Sequence, residues 1–222
     1  ELMRMKIGIA VAGSHGKTTT TSMIAQVLTQ GGLDPTIVIG GKLGILGSNA
    51  KLGKSSYLVA EADESDGSFL MLNPSLAVIT NIDREHLDHY RDLEEIREAF
   101  TTFANKIPFH GSVFICMDDP NVAHVRPHLK RQVHTYGFNR QVDLRATDLR
   151  QDGFRTTFRV TAFGEDLGDF EMGVPGSHMV LNALAAIGVA LELEVPVPVI
   201  RDSLAAFTGA ERRFTKKGEK HG

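Results

Sequence analysis

Residues 12–21 read Ala12-Gly13-Ser14-His15-Gly16-Lys17-Thr18-Thr19-Thr20-Thr21, between an apolar run, Ile7–Val11, and a helical pattern of apolar side chains. A strand, a glycine-rich turn, a Lys-Thr pair and a helix form the arrangement that cradles a nucleotide's phosphates. The N–H groups at the helix N-terminus face the anion, and the helix dipole favours negative charge there. We expect Lys17 to reach the terminal phosphates and the Thr18 hydroxyl to hold Mg²⁺. The segment predicts a phosphate-binding loop.

This loop departs from the general phosphate-loop pattern at one position. That pattern, G-x-x-x-x-G-K-[ST], requires glycine where Val11 stands, so only the shorter G-x-x-G-K-T is present, from Gly13 to Thr18. The alternative is a glycine-rich turn that caps an ordinary helix. The strand before the turn and the helix after it favour phosphate binding.

Length, charge and cysteine content exclude several classes of protein. The 222 residues are enough for one large α/β domain or two small ones. A net charge of −3 gives no reason to expect a nucleic-acid or membrane partner. The single cysteine excludes an internal disulfide and fits a reducing compartment, and no apolar run is long enough to span a bilayer. We expect a cytoplasmic protein and, because both ends lack an obvious terminal element, a portion of a longer enzyme.

Apolar runs separated by helical patterns predict a parallel sheet covered on both faces. The predicted strands are Ile7–Val11, Thr36–Ile39, Tyr57–Ala60, Leu76–Thr80 and Val113–Cys116. Further helices are expected at residues 93–103, 177–193 and 196–207, and imperfect alternation from about 142 to 174 indicates a small appended antiparallel sheet. The predicted fold is a three-layer α/β P-loop domain with a mostly parallel central sheet, helices on both faces and that antiparallel addition.

Polar clusters follow two of the predicted strands. In parallel sheets ligands bind beyond the carboxyl ends of the strands, so both clusters should lie beside the phosphate loop. Glu61 ends one strand, where a carboxylate ligand to Mg²⁺ is expected, and the acidic residues of 63–66 are read as caps or as groups behind the ligands. His86 follows the next strand; a lone histidine is more often structural, but this position favours a functional one. The glycine-rich segment Gly40–Asn49 is read as a loop that approaches a ligand closely.

Other reactive side chains are assigned no chemistry. His124 and His128 have the spacing of metal ligands on a helix, but Pro127 interrupts that helix and no third ligand is evident. Cys116 lies inside an apolar strand and is expected to pack in the core. Without a covalent protein nucleophile, the expected catalysis is phosphoryl transfer by positioning and charge neutralisation.

Several segments together resemble the Mur ligases, the ATP-dependent amide-forming enzymes of peptidoglycan synthesis. The segments that carry the resemblance are Gly13–Thr20, Glu61–Phe69, Thr80–Asp88, Gly176–Ala183 and Arg212–Phe214. The resemblance covers essentially the whole chain and implies the central ATP-binding domain of a three-domain enzyme. It assigns residues 1–210 to that domain and 211–222 to a linker and the start of a C-terminal domain.

The resemblance also implies roles for individual residues. Lys17, Glu61 and His86 would be catalytic; Thr18 and Glu61 would bind one Mg²⁺ and His86 a second. Asn182 with His178 would contact the adenine, and Arg213 the phosphates. Asn49 and Asn81 would face the muramoyl substrate. The full set implied for ATP is Gly13, Ser14, His15, Gly16, Lys17, Thr18, Thr19, His178, Asn182 and Arg213.

Among the branches of the family, the resemblance is strongest to the one that joins UDP-N-acetylmuramate to L-alanine through an acyl phosphate, and the run Glu61–Phe69 carries that distinction. Residues 98–103 hold no lysine for carbamylation, which fits that branch. Two residues depart from the family pattern: Ser14 stands where the family often has threonine, and Met179 where asparagine is common at the adenine segment. The implied partners are UDP-N-acetylmuramate and L-alanine, with ATP and Mg²⁺ as cofactors. The alternatives are peptide addition to UDP-muramate, folate polyglutamylation, or a nucleotide-binding module without chemistry. The oligomeric state stays open.

Overall fold

A computed structural model describes residues 2–43 and 48–209, and the backbone there forms one ten-stranded sheet in the order β10-β9-β8-β7-β6-β5-β1-β4-β2-β3. The strands are β1 Ile7–Ala12, β2 Thr36–Leu43, β3 Ser48–Lys51, β4 Tyr57–Glu61, β5 Leu76–Ile79, β6 Ser112–Cys116, β7 Gln132–Gly137, β8 Leu144–Asp152, β9 Arg155–Ala162 and β10 Glu165–Met172.

The central strands are parallel and buried on both faces, as their continuous apolar sequences predict. β1 lies between β4 and β5, and its register pairs Val11 with Glu61 on one side and Ala12 with Ile79 on the other. The carboxyl ends of these three strands therefore reach the same edge of the sheet. The predicted convergence of the phosphate loop with the polar clusters is confirmed at the level of the backbone.

Helices cover both faces of the sheet. They are α1 Lys17–Gln30, α2 Leu93–Asn105, α3 Pro120–Val125, α4 Ser177–Glu192 and α5 Val197–Ala205. The cores on the two faces are separate: α1, α4 and α5 bury one apolar cluster against the sheet, and α2 and α3 bury another. Three layers result, and the predicted fold class is confirmed. Within the described residues no helix combines the length and apolar character that crossing a membrane requires.

Sequence patterns explain how these helices begin. Asp92 accepts a hydrogen bond from the Glu95 backbone N–H at 3.0 Å and caps α2, and Asp119 does the same for the Val122 N–H at 2.8 Å before α3. α3 ends at Val125, two residues before Pro127, in agreement with the predicted interruption.

The antiparallel strands extend the main sheet rather than forming a second one. β8 pairs in parallel with β7, then β8, β9 and β10 pair antiparallel, so β10 becomes the outer edge. A bulge interrupts β10 between Asp166 and Gly168, and the Arg201 side chain of α5 donates a 2.7 Å hydrogen bond to the Leu167 carbonyl.

Two regions of the sheet were not anticipated from the sequence. β7 is a strand that the sequence does not predict, because its residues mix polar and apolar types without an apolar run or a regular alternation. Part of the segment Gly40–Asn49 is strand: β2 continues to Leu43 and pairs antiparallel with β3, which begins at Ser48. The prediction of a loop is wrong for residues 40–43, 48 and 49, because glycines are compatible with a strand when a neighbouring strand supplies the pairing. Residues 44–47 lie outside the described part of the chain.

Candidate functional site

The loop between β1 and α1 depends on two glycines with left-handed backbone. Gly13 has φ +136° and Gly16 φ +85°. A Cβ added to Gly13 would lie 2.1 Å from Thr80 Oγ1, and one added to Gly16 would lie 2.9 Å from Asn182 Oδ1. Both positions therefore require glycine for conformation and for space.

The segment after β5 holds this loop in shape. The Asn81 side chain accepts a hydrogen bond from the His15 N–H at 2.7 Å and donates one to the His15 carbonyl at 2.9 Å. Thr80 Oγ1 donates to the same carbonyl at 2.7 Å, and the Asp83 N–H donates to Ser14 Oγ at 2.8 Å. The structure thus directs both polar atoms of the Asn81 amide to the loop backbone; its contact with a muramoyl substrate stays a prediction.

The N-terminus of α1 is suited to an anion. No side chain caps it and its first turn contains no acidic residue. Helix N-terminal N–H groups left for a ligand, together with the helix dipole, favour bound phosphate. Thr18 is partly buried in this first turn, and Thr19 is buried.

Lys17 lies over the loop from which it projects. Its Nζ atom donates to the Gly13 carbonyl at 2.7 Å and contacts both carboxylate oxygens of Glu64, at 3.0 Å and 2.9 Å. The Lys17 side chain is 16% exposed and that of Glu64 only 2%. The ammonium group is therefore held at the mouth of the loop by a buried carboxylate.

Glu64 is a site residue whose contacts the sequence does not predict. The sequence groups it with Asp63 and Asp66 as caps or as groups behind the ligands. Asp63 accepts from the Ser65 N–H and Asp66 from the Ser68 N–H, whereas Glu64 lies behind Lys17. Four acidic residues in six look alike in sequence, and burial separates Glu64 from the exposed Asp63 and Asp66. No signal in the sequence distinguishes it.

His86 faces the same carboxylate. Its Nε2 atom lies 3.6 Å from Glu64 Oε1, slightly beyond hydrogen-bond distance. The residue itself has φ +57°, and its carbonyl accepts from the N–H groups of His89 and Tyr90. A non-glycine residue in this conformation carries backbone strain, which is common at functional positions.

Tyr90 supports Glu64 from behind. Its hydroxyl donates a 2.7 Å hydrogen bond to the Glu64 backbone carbonyl. Burial, followed by the negative charge of Glu64, raises the pKa of the Tyr90 phenol to about 12. The hydroxyl therefore stays protonated and keeps donating through the whole neutral range.

The remaining predicted residues lie around this centre. Glu61 ends β4 beside β1 and is partly buried, and a Cβ on Gly40 would lie 3.1 Å from its Oε2 atom. Asn182 of α4 is buried against Gly16, so it borders the phosphate loop. His178 lies exposed in the first turn of that helix.

His15 is exposed at the tip of the loop. Its Nε2 atom lies 3.7 Å from Asp83 Oδ2 and 3.5 Å from Glu85 Oε1. Two further predictions fall outside the described part of the chain: Arg213, with the rest of residues 211–222, and the side chain of Asn49, of which only the β3 backbone is described.

The residues present fit a phosphate group and Mg²⁺. Gly13 and Gly16 have no side chain at positions where a Cβ would meet neighbouring atoms. The N-terminus of α1 has no side-chain cap, and Lys17 supplies a cation. Residues 2–43 and 48–209 contain no group of three or more His, Cys, Asp or Glu side chains that could enclose a metal by themselves. Mg²⁺ is typically bound by one or two protein ligands together with phosphate oxygens, so Thr18 and Glu61 suit a cation that arrives with a nucleotide.

A doubly covered parallel sheet with this loop at its carboxyl edge defines a phosphate-loop domain of the α/β class. The family model described as the Mur ligase middle domain matches residues 11–190. The chain belongs to the Mur ligase family, within which it is similar to the middle domain.

Curated relatives match over the whole chain. A UDP-N-acetylmuramate–L-alanine ligase from Trichlorobacter lovleyi is 58% identical over 223 residues, which is 100% of this chain and 49% of the relative. The protein of the same name from Geobacter sulfurreducens is 56% identical, with 100% and 48% covered. The chain thus spans about half the length of the curated relatives it matches.

Solved structures share the fold. A UDP-N-acetylmuramate:L-alanyl-gamma-D-glutamyl-meso-diaminopimelate ligase from Neisseria meningitides aligns with a TM-score of 0.85 and 28% identity, over 95% of this chain and 68% of that one. A UDP-N-acetylmuramate–alanine ligase from Thermotoga maritima aligns with a TM-score of 0.83 and 29% identity, over 97% and 48%.

Proposed function

We propose that this chain is the nucleotide-binding domain of an ATP-dependent ligase that joins the carboxylate of UDP-N-acetylmuramate to L-alanine through an acyl phosphate, in peptidoglycan precursor synthesis. The observation that carries the proposal is the placement of Lys17, Glu64 and His86 together at the mouth of a glycine-rich loop. A site for binding alone would need the loop and the lysine, but not a histidine beside the carboxylate that holds the lysine.

In this proposal the residues act mainly by charge and position. The α1 N-terminus and Lys17 bind the phosphates and offset the charge that develops on the transferred phosphoryl group. Thr18 and Glu61 would hold one Mg²⁺ and His86 a second, and Mg²⁺ when bound neutralises phosphate charge and polarises the reacting phosphoryl group. Asn182 and His178, in the first turns of α4, would contact the adenine.

The names of the relatives support the choice of L-alanine over a peptide as acceptor. The relatives at 54–58% identity carry the name of the alanine-adding enzyme. The peptide-adding reaction is the second candidate, because the Neisseria meningitides ligase that bears such a name aligns with a TM-score of 0.85.

Phosphate release by the full-length protein tests the proposal. With UDP-N-acetylmuramate and MgATP, we expect release to depend on L-alanine; dependence on a tripeptide instead would establish the second candidate. His86→Ala should lower the ligation rate by about 100-fold and change the nucleotide dissociation constant by less than about 3-fold. Equal losses of ligation and nucleotide binding would instead favour a binding module.

The proposal assigns residues 1–210 to this domain and 211–222, with Arg213, to the link toward a following domain. We expect the 222-residue chain alone to bind MgATP weakly and not to ligate alanine, because it covers about half of its curated relatives. Normal turnover of both substrates by the purified 222-residue chain would contradict this. A cytoplasmic location is part of the proposal, since ATP and nucleotide-linked sugars are consumed.

A further inference from the structure

The Glu64 carboxylate contacts two residues that the proposed reaction uses. Both of its oxygens lie within 3.0 Å of Lys17 Nζ, and Oε1 also lies 3.6 Å from His86 Nε2. Lys17 begins α1, after the loop that follows β1, and His86 lies in the segment after β5, so Glu64, which follows β4, approaches both from a third segment.

Glu64 is itself held firmly. Its carbonyl accepts hydrogen bonds from the Tyr90 hydroxyl at 2.7 Å and from the Gly67 N–H at 3.1 Å. Gly67 has φ +71°, and a Cβ there would lie 2.9 Å from His89 Nε2, so the turn after Glu64 is tightly closed. With a side chain only 2% exposed, the carboxylate has no open space in which to turn away.

Lys17 needs such an anchor. A lysine side chain has four flexible methylene groups and an ammonium that is otherwise strongly hydrated, so its position over a loop is not set by its own backbone. Here the ammonium is fixed between Glu64 and the Gly13 carbonyl at 2.7 Å. A partly buried cation with these partners is already placed at the loop mouth before phosphate arrives.

We propose that Glu64 is a positioning residue that sets the Lys17 ammonium in place, beside the His86 imidazole, before the nucleotide binds. The expected effect of Glu64 on the rate rests on the proposed function, whereas its effect on the position of Lys17 does not. The phosphates supply enough negative charge to attract Lys17 without Glu64, so the nucleotide affinity depends little on it. The rate depends on it strongly, because a misplacement of about 1 Å costs about 100-fold in rate.

Kinetics of the full-length protein test this with Glu64→Gln, Glu64→Asp and the control Asp63→Asn. Asp63 lies on the same loop, is exposed, and its turn-forming oxygen is kept by asparagine. We expect Glu64→Gln to lower kcat by about 100-fold with KM for ATP within about 3-fold. Glu64→Asp, which keeps the charge, should recover part of kcat, and Asp63→Asn should match the wild type.

A second measurement needs neither nucleotide nor turnover. In ¹⁵N NMR spectra of the nucleotide-free full-length protein, a buried and hydrogen-bonded lysine ammonium exchanges its protons slowly enough to be seen. We expect such a signal from Lys17, assigned by its loss in Lys17→Arg. It should be lost in Glu64→Gln and kept in Asp63→Asn.

The inference is overturned if Glu64→Gln keeps kcat within about 3-fold of the wild-type value. It is also overturned if Glu64→Gln binds the nucleotide more tightly without a lower kcat, because Glu64 would then compete with the phosphates for Lys17. A third contradicting outcome is a kcat of Glu64→Gln that equals the wild-type value once it is calculated per folded molecule. Glu64 would then have a purely structural role. If the wild type shows no alanine-dependent phosphate release, the proposed function fails. The NMR signal of Lys17 then still tests whether Glu64 holds the Lys17 ammonium in place.

Discussion

Replacing Gly13 by alanine measures how tightly the phosphate loop is closed. Gly13 has φ +136°, and a Cβ there would lie 2.1 Å from Thr80 Oγ1. It would also lie 3.0 Å and 3.1 Å from the backbone O and N atoms of Asn81. The first contact forces the Thr80 side chain to turn, and the other two require the backbone after β5 to shift.

The expected cost follows from these contacts. Alanine in left-handed backbone costs about 1–2 kcal/mol. Turning Thr80 breaks its 2.7 Å hydrogen bond to the His15 carbonyl, a loss of about 1 kcal/mol. Displacing packed backbone adds about 1–3 kcal/mol. The free energy of unfolding should therefore fall by roughly 3–6 kcal/mol, and Tm by roughly 10–15 °C in the middle of that range.

Gly32→Ala is the matched control. Gly32 follows the other end of α1 with φ +80°, and nothing lies within 4 Å of a Cβ added there. This variant measures the conformational cost alone. Thermal and urea unfolding of the 222-residue chain should show Gly13→Ala clearly below Gly32→Ala, and equal Tm values for the two variants would refute the steric argument.

Three further predictions concern separate groups. Asn81→Ala should weaken nucleotide binding by up to about 30-fold in calorimetry, since two hydrogen bonds to the His15 backbone are lost at about 1 kcal/mol each and about 1.4 kcal/mol is a factor of ten; the exposed Asn73→Ala should leave it unchanged. Burial raises the pKa of the Cys116 thiol to about 12, so a disulfide reagent at pH 8 should label Cys116 only as the chain unfolds, and rapid labelling of the folded chain would contradict its burial. The folded chain keeps the Tyr90 proton up to about pH 12 whereas an unfolded tyrosine ionises near 10.0, so the free energy of unfolding should decrease between these pH values, and less steeply in Tyr90→Phe.

The fold was largely predictable because its signals are local. A glycine-rich turn between an apolar strand and a helix specifies the phosphate loop, since positive φ at Gly13 and Gly16 is readily adopted only by glycine. Buried parallel strands are predicted by continuous apolar runs, and this holds for β1, β4, β5 and β6. It does not hold for β7, because its mixed sequence becomes a strand only through pairing with β6 along its length.

The site was less predictable because its decisive contacts are distant in sequence. Lys17 meets Glu64 across 47 positions, and the His15 backbone meets Asn81 across 66. Nothing local distinguishes Glu64 from Asp63 or Asp66, because carboxylates on one loop differ only in which of them the fold buries. The types of residue at the strand ends predict where the site lies. The hydrogen bonds and ion pairs within the site are known only from the folded chain.

The outer edge of the sheet bears on how the chain behaves in concentrated solution. An exposed edge strand is a template on which another copy can pair and start an aggregate. β10 opposes this in three ways: it carries the acidic side chains of Glu165, Asp166, Asp169 and Glu171, a bulge bends it at Gly168, and Arg201 occupies the Leu167 carbonyl. An approaching strand would meet charged side chains, a broken register and a carbonyl already bonded, so the sheet resists growth from one molecule to the next at its β10 edge.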